Sequence, residues 1–164
     1  ILLLLLLVPV LALILVFGAQ ERSTSVSGES VAGLPPVIQF LSNEIDGIRY
    51  RGFDKQGQNP EALTSYLAST QAPSPTKIPT YLEGMPSIGC LTISHGTSRM
   101  SIICFKGDTV YHLTTVNLND YPQPVPVQPQ IFEGDNKAFK VWVEGEQVKI
   151  LTIHGSKEEI PKFI

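Results

Sequence analysis

SIGCLTISHGTSRMSIICFKGDTVYHLTTV, residues 87–116, is the stretch that decides the fold of this chain. It contains three segments rich in β-branched and aromatic residues, at 87–94, 100–105 and 109–116, and such composition is typical of strands. His95-Gly96-Thr97-Ser98 separates the first two segments as a hairpin turn, and Lys106-Gly107-Asp108 separates the last two. The stretch therefore predicts a three-stranded antiparallel meander.

A second hairpin follows towards the C-terminus. Residues 137–143 and 147–153 have strand composition and flank the turn Glu144-Gly145-Glu146. Residues 117–130, between the two hairpins, carry prolines at 122, 124, 126 and 129, which cannot donate to a ladder and predict an extended surface loop. A proline-rich ligand for a partner protein is the alternative interpretation of that loop. Ser156 and Glu159 predict a capping box that begins a short closing turn before Pro161.

The segment before the meander predicts one helix and an extended region. Asn59-Pro60-Glu61 is a helix start, since Asn caps free N–H groups and Pro is tolerated at the first helical position. Leu63, Tyr66 and Leu67 then share one helical face, and residues 78–82 can add a helical turn. Residues 37–53 alternate in part and predict strands around a turn at Asp46-Gly47.

These elements together predict an α+β domain over residues 37–164. Its sheet is antiparallel with roughly five strands, and one or two helices pack on it. Residues 20–36, rich in Ser and Gly, predict a flexible linker before the domain.

The apolar run ILLLLLLVPVLALILVFGA, residues 1–19, predicts a membrane segment. In a helix the run would span close to the roughly 30 Å hydrocarbon core, so we expect a transmembrane helix, with the core of a signal sequence as the alternative. The polar remainder is then most simply outside the cytoplasm. The run begins at Ile with no basic residue before it, and we expect the natural chain to continue upstream.

Composition and motifs argue against two classes of function. The formal net charge is −3 with no basic cluster, which disfavours nucleic-acid binding through this region. The sequence contains no G-x-S-x-G, H-E-x-x-H or phosphate-binding glycine loop, so we expect no catalysis. The membrane, through residues 1–19, and a protein are the expected partners.

Cys90, Cys104 and His112 are the candidate functional residues. A three-residue turn at 96–98 would place the two cysteines opposite each other, where they could form a disulfide, a buried thiol pair or a redox switch. A two-residue turn would instead place Cys90 opposite Ile103. If all three side chains share one face they could hold zinc or copper, which is a question of strand register. The alternative for His112 is a satisfied histidine in the core or on the sheet surface, and His154, before a glycine, is expected in a loop.

Short motifs over about 100 residues carry a family resemblance. They are Gly84-Met85-Pro86, Gly89-Cys90, Cys104-Phe105, His112-Leu113 and Trp142-Val143-Glu144-Gly145 with Ile150-Leu151. In these motifs the chain resembles an uncharacterised bacterial family of membrane-anchored proteins similar to the extracytoplasmic part of transmembrane anti-sigma factors. Pro161, where the family has a helix, and the lack of a cytosolic sigma-binding segment before residue 1 depart from its pattern.

The resemblance implies a single-pass protein of the bacterial inner membrane with a periplasmic domain. That domain would sense a signal or bind a protein, in the manner of an anti-sigma-factor-like regulator. The resemblance implies no particular ligand or enzymatic activity. An envelope redox or metal-binding protein that uses Cys90, Cys104 and His112 is the alternative function.

Overall fold

A computed structural model describes residues 33–161 of the chain. The predicted membrane segment 1–19 and most of the predicted linker 20–36 lie outside the described residues. Within 33–161, no helix combines the length and apolar character needed to cross a membrane.

Residues 33–161 form seven antiparallel strands and two α-helices. The helices are α1 (Pro36–Arg51) and α2 (Pro60–Ser69). The strands are β1 (Lys55–Gln56), β2 (Ser87–His95), β3 (Ser98–Lys106), β4 (Val110–Asn117), β5 (Gln130–Gly134), β6 (Lys137–Glu144) and β7 (Gln147–His154). Their order in the sheet is β1-β2-β3-β4-β7-β6-β5. Short 3-10 turns cover Thr80–Leu82, Leu118–Asp120 and Lys157–Glu159.

The predicted meander and second hairpin are confirmed, and the α+β class with them. The hairpin turn between β2 and β3 has two residues, because His95 pairs with Ser98 across it. The cap of α2 is also as predicted, since the side chain of Asn59 accepts from the N–H of Glu61. The capping box of Ser156 and Glu159 is present at the last 3-10 turn.

The prediction of strands over residues 37–53 is wrong, because this segment is helix α1. Its apolar residues recur every three or four positions and are buried on one side: Val37, Ile38, Leu41, Ile45 and Ile48. Proline at the first position favours the helix start, and Gly52, at φ 81°, ends it in a conformation that glycine adopts readily. The short alternation around Tyr50 reflects the exposed end of the helix and not a strand.

The predicted count of about five strands is too low, because both edge strands escape the sequence pattern. Strand β1 has two exposed residues and exists through its pairing with Gly89 and Cys90. Strand β5 begins directly after Pro129, and it pairs with β6 along its whole length. Neither strand carries the run of buried residues by which strands are recognised in sequence.

The sheet is covered on both faces, one helix to each. Helix α1 packs on what we call the α1 face, with a core that includes Leu91, Ile102, Val116 and Ile150. Helix α2 packs on the opposite, α2 face through Leu63 and Leu67, against a core that includes Ile103, Leu113 and Leu151. Burial on both faces explains why the central strands are apolar almost throughout.

Candidate functional site

A cavity of about 480 Å³ lies between α1 and the sheet. Such a volume lies within the range of small-molecule sites. Apolar side chains form most of its wall, and polar groups gather where the ends of β3, β4 and β7 meet α1. Its lining residues are Ile45, Asp46, Ile48, Arg49, Phe53, Ile88, Cys104, Thr109, Val110, His112 and His154.

Cys104 and His112 form a buried pair in the wall of this cavity. They are opposite each other on β3 and β4, so their side chains point to the same face. The Sγ atom of Cys104 lies 3.0 Å from Nδ1 of His112. Thr152 on β7 continues the same cross-strand row, and its hydroxyl has no hydrogen-bond partner among the described residues.

Both members of the pair are neutral near physiological pH. Burial raises the pKa of the Cys104 thiol to about 12. Burial also lowers the pKa of His112 to about 3, with the nearby His154 and Lys137 adding to the effect. An imidazole nitrogen is a better acceptor than a thiol sulfur, so we assign the thiol as donor to Nδ1. This assignment leaves the ring proton of His112 on Nε2.

The Nε2 atom of His112 is buried and has no hydrogen-bond partner within residues 33–161. His112 as a whole is only 5% exposed. An unpaired buried donor costs about 1–3 kcal/mol, and such groups are uncommon in folded proteins. The donor therefore marks the polar end of the cavity as a place for an acceptor.

Charged side chains border this polar end. Lys137 is buried, and its Nζ lies 2.8 Å from Oδ2 of Asp46, a carboxylate that is 56% exposed. Lys137 pairs with His154 across β6 and β7, and the exposed ring of His154 lies edge-on to His112 with 5.7 Å between ring centroids. Arg49, one helical turn after Asp46, is exposed at the cavity wall. Counting one charge each for Arg49, Lys137 and Asp46 leaves the cavity wall and its border with an excess positive charge.

Cys90 lies away from the other candidate residues. The two-residue turn opposes it to Ile103, which places it in the core under α2 while Cys104 lies in the core under α1. Both cysteines are buried free thiols, and burial raises the pKa of Cys90 to about 11. The register thus brings together Cys104 and His112 of the predicted metal set, but not Cys90.

The described residues offer no preformed metal site. Within 33–161, no group of three or more His, Cys, Asp and Glu side chains is arranged to hold a metal ion. A raised thiol pKa also opposes metal binding, because the thiolate is the ligand.

Sequence reasoning missed four residues of the site: Asp46, Arg49, Lys137 and His154. Asp46 was expected in a turn but lies on α1, and His154 was expected in a loop but is the last residue of β7. The signal for Asp46 was available in the helical spacing of Ile45 and Ile48 on either side of it. No local pattern brings these two residues to Lys137.

A second buried polar group lies on the α2 face. Lys149 is fully buried, and its Nζ donates to Oε1 of Gln147 at 2.7 Å. The same oxygen accepts from the N–H of Thr76, and Nε2 of Gln147 donates to the carbonyl of Ser74. Gln147 therefore ties the loop after α2 to the sheet, and the amine of Lys149 is bonded to this tie.

Comparisons with models of protein families, with curated proteins and with solved structures each find no match to this chain.

Proposed function

We propose that the domain is a sensory module that binds a small, largely apolar molecule in the cavity between α1 and the sheet. The observation that carries the proposal is the unpaired Nε2 of His112 in the wall of a largely apolar cavity. A merely structural histidine would be expected to satisfy both ring nitrogens within the fold. Ligand binding explains both the retained volume and the unpaired donor.

The chemistry of the site favours binding over catalysis. A nucleophilic cysteine needs a lowered pKa and an adjacent base that is able to take its proton. Cys104 has a raised pKa, and burial opposes a positive charge on His112. A neutral thiol and a neutral imidazole can shape and polarise a binding site without reacting.

In the whole protein, we propose that this module is the periplasmic part of a single-pass, inner-membrane regulator of the anti-sigma-factor type. The apolar segment 1–19 and the short sequence motifs support this placement. Ligand binding under α1 would change how α1 packs, and α1 begins at Pro36, the last residue of the linker proposed to connect it to the membrane. A partner protein would read that change.

Methyl NMR of the full chain in lipid nanodiscs tests the binding function. Isoleucine-labelled protein is titrated with octanol, octanamide and octanoate. We expect at least one probe to shift the methyl signals of Ile45, Ile48 and Ile88, which line the cavity, and to leave Ile103 on the α2 face unchanged. If no aliphatic probe shifts the cavity methyls selectively, the proposed function is wrong.

A matched pair of substitutions locates the binding. Val110→Phe adds a ring at the cavity wall and should abolish the shifts. Val143→Phe makes the same change at an exposed position outside the lining and should leave them intact. Equal effects of the two substitutions would place binding elsewhere on the protein.

A further inference from the structure

The polar end of the cavity indicates the chemical class of the ligand. The Nε2 of His112 is a buried donor with no acceptor among residues 33–161, and Arg49 lines the same cavity. Much of the remaining lining is apolar and includes Ile48, Ile88 and Val110. A matching ligand therefore combines an acceptor with an aliphatic body.

We propose that the cavity selects an aliphatic monocarboxylate, with one carboxylate oxygen accepting from Nε2 of His112 and the head group facing Arg49. This inference rests on the proposed binding function and names its ligand class.

Charge decides between a carboxylate and the other head groups. Among residues 33–161, Asp46 supplies the only carboxylate in the cavity lining, and it is already paired with Lys137. A ligand ammonium would meet the charge of Arg49 without a free anion, whereas a carboxylate gains from both Arg49 and the His112 donor. An alcohol can also accept from Nε2, but it gains little from the guanidinium.

Contact between a ligand and Nε2 of His112 requires side-chain movement beside the ring. The atom is covered in the structure, and the ring that lies against His112 is that of His154. His154 is exposed at the end of β7, so rotation of its side chain disturbs no core packing.

The affinities of octanoate and octanol for the full chain in nanodiscs test the inference. We expect octanoate to bind about tenfold more tightly, the gain of one charge-assisted hydrogen bond over a neutral one. His112→Leu should remove this preference for octanoate while octanol still binds. The control is Thr114→Val, which also replaces a buried polar side chain on the α1 face but lies outside the cavity lining. This variant should retain the preference. Octanol binding as tightly as octanoate overturns the inference but leaves the binding function standing.

The guanidinium has its own matched control. Arg49→Gln should weaken octanoate severalfold and leave octanol unchanged, because only the anion interacts with the lost charge. Arg51→Gln removes an exposed arginine at the end of the same helix, outside the cavity lining and paired with Glu44, and should have no effect. If both substitutions weaken octanoate binding equally, Arg49 acts only through the overall charge of the protein, and the specific contact is contradicted.

A spectroscopic measurement keeps the test independent of folding. Nitrogen-15 NMR of histidine-labelled wild-type protein reports the protonation and hydrogen bonding of each ring nitrogen. Octanoate should move the Nε2 signal of His112. The groups that face this ring are Cys104, His154, Lys137 and Asp46. The signals of His95, whose ring lies tilted against Phe40 outside the cavity lining, should stay unchanged. An unchanged Nε2 signal at saturating octanoate refutes the contact.

Discussion

Replacing Lys149 by Met should stabilise the domain, although it removes a hydrogen bond. The side chain of Lys149 is 0% exposed and lies on β7 between Thr115 and Trp142 of the neighbouring strands. Burial lowers its pKa to about 8, and the charge of Glu144 opposes this only in part. Methionine has a similar length without the charge, and Oε1 of Gln147 still accepts from Thr76 after the substitution.

The magnitude follows from the two pKa values of Lys149. The unfolded chain holds the proton with a pKa near 10.5 and the folded chain with one of about 8, a difference of about 3 kcal/mol in free energy. Because the unfolded state binds the proton more tightly, the full penalty acts below pH 8 and disappears as the pH rises to 10.5. Lys149→Met should therefore exceed the wild type by about 3 kcal/mol near pH 7, and this gap should shrink by about 2 kcal/mol at about pH 9.5.

Urea unfolding followed by circular dichroism, with reductant present, measures the gap at both pH values. The raised pKa values of Cys90, Cys104 and Tyr111 lower the stability of both proteins alike at high pH, so only the difference between the proteins reports on Lys149. Lys106→Met, at an exposed position, should show no such gap. A gap that does not change with pH, or a less stable variant at neutral pH, would refute the reasoning.

Three further predictions concern the backbone and the cysteines. Gly89→Ala should lower the free energy of unfolding in urea by about 2–3 kcal/mol, because its Cβ would lie 2.5 Å from Cγ of Phe53. Gly47→Ala on α1 has open space around its Cβ and should raise the free energy of unfolding by about 0.5–1 kcal/mol. An unchanged stability of Gly89→Ala would contradict the close approach. Asn59→Ala should cost about 1 kcal/mol and Asn59→Asp almost nothing, and equal costs would rule out a capping role. Cys90 and Cys104 should react with a thiol reagent only after unfolding, and rapid labelling of the native protein would contradict their burial.

Local chemistry by itself determined much of the fold. Residues 87–116 contain turn residues between β-branched runs, and these patterns predict the meander because each turn needs only its own few residues. The cap at Asn59 and the capping box at Ser156 were also readable, since each depends on side chains within three positions. The family resemblance, the membrane placement and the function remain predictions.

Tertiary structure alone decided the site. The strand register makes Cys104 and His112 neighbours and places Cys90 on the other face of the sheet. One more residue in the turn between β2 and β3 would have placed Cys90 opposite Cys104, on the same face. Asp46 and Lys137 are 91 positions apart in sequence, and they meet only because α1 packs across the sheet. The edge strands β1 and β5 likewise exist by pairing with strands that are already formed. Local sequence patterns reflect the turns, caps and buried faces within one segment. A site between segments depends on strand register and on packing, which no local pattern encodes.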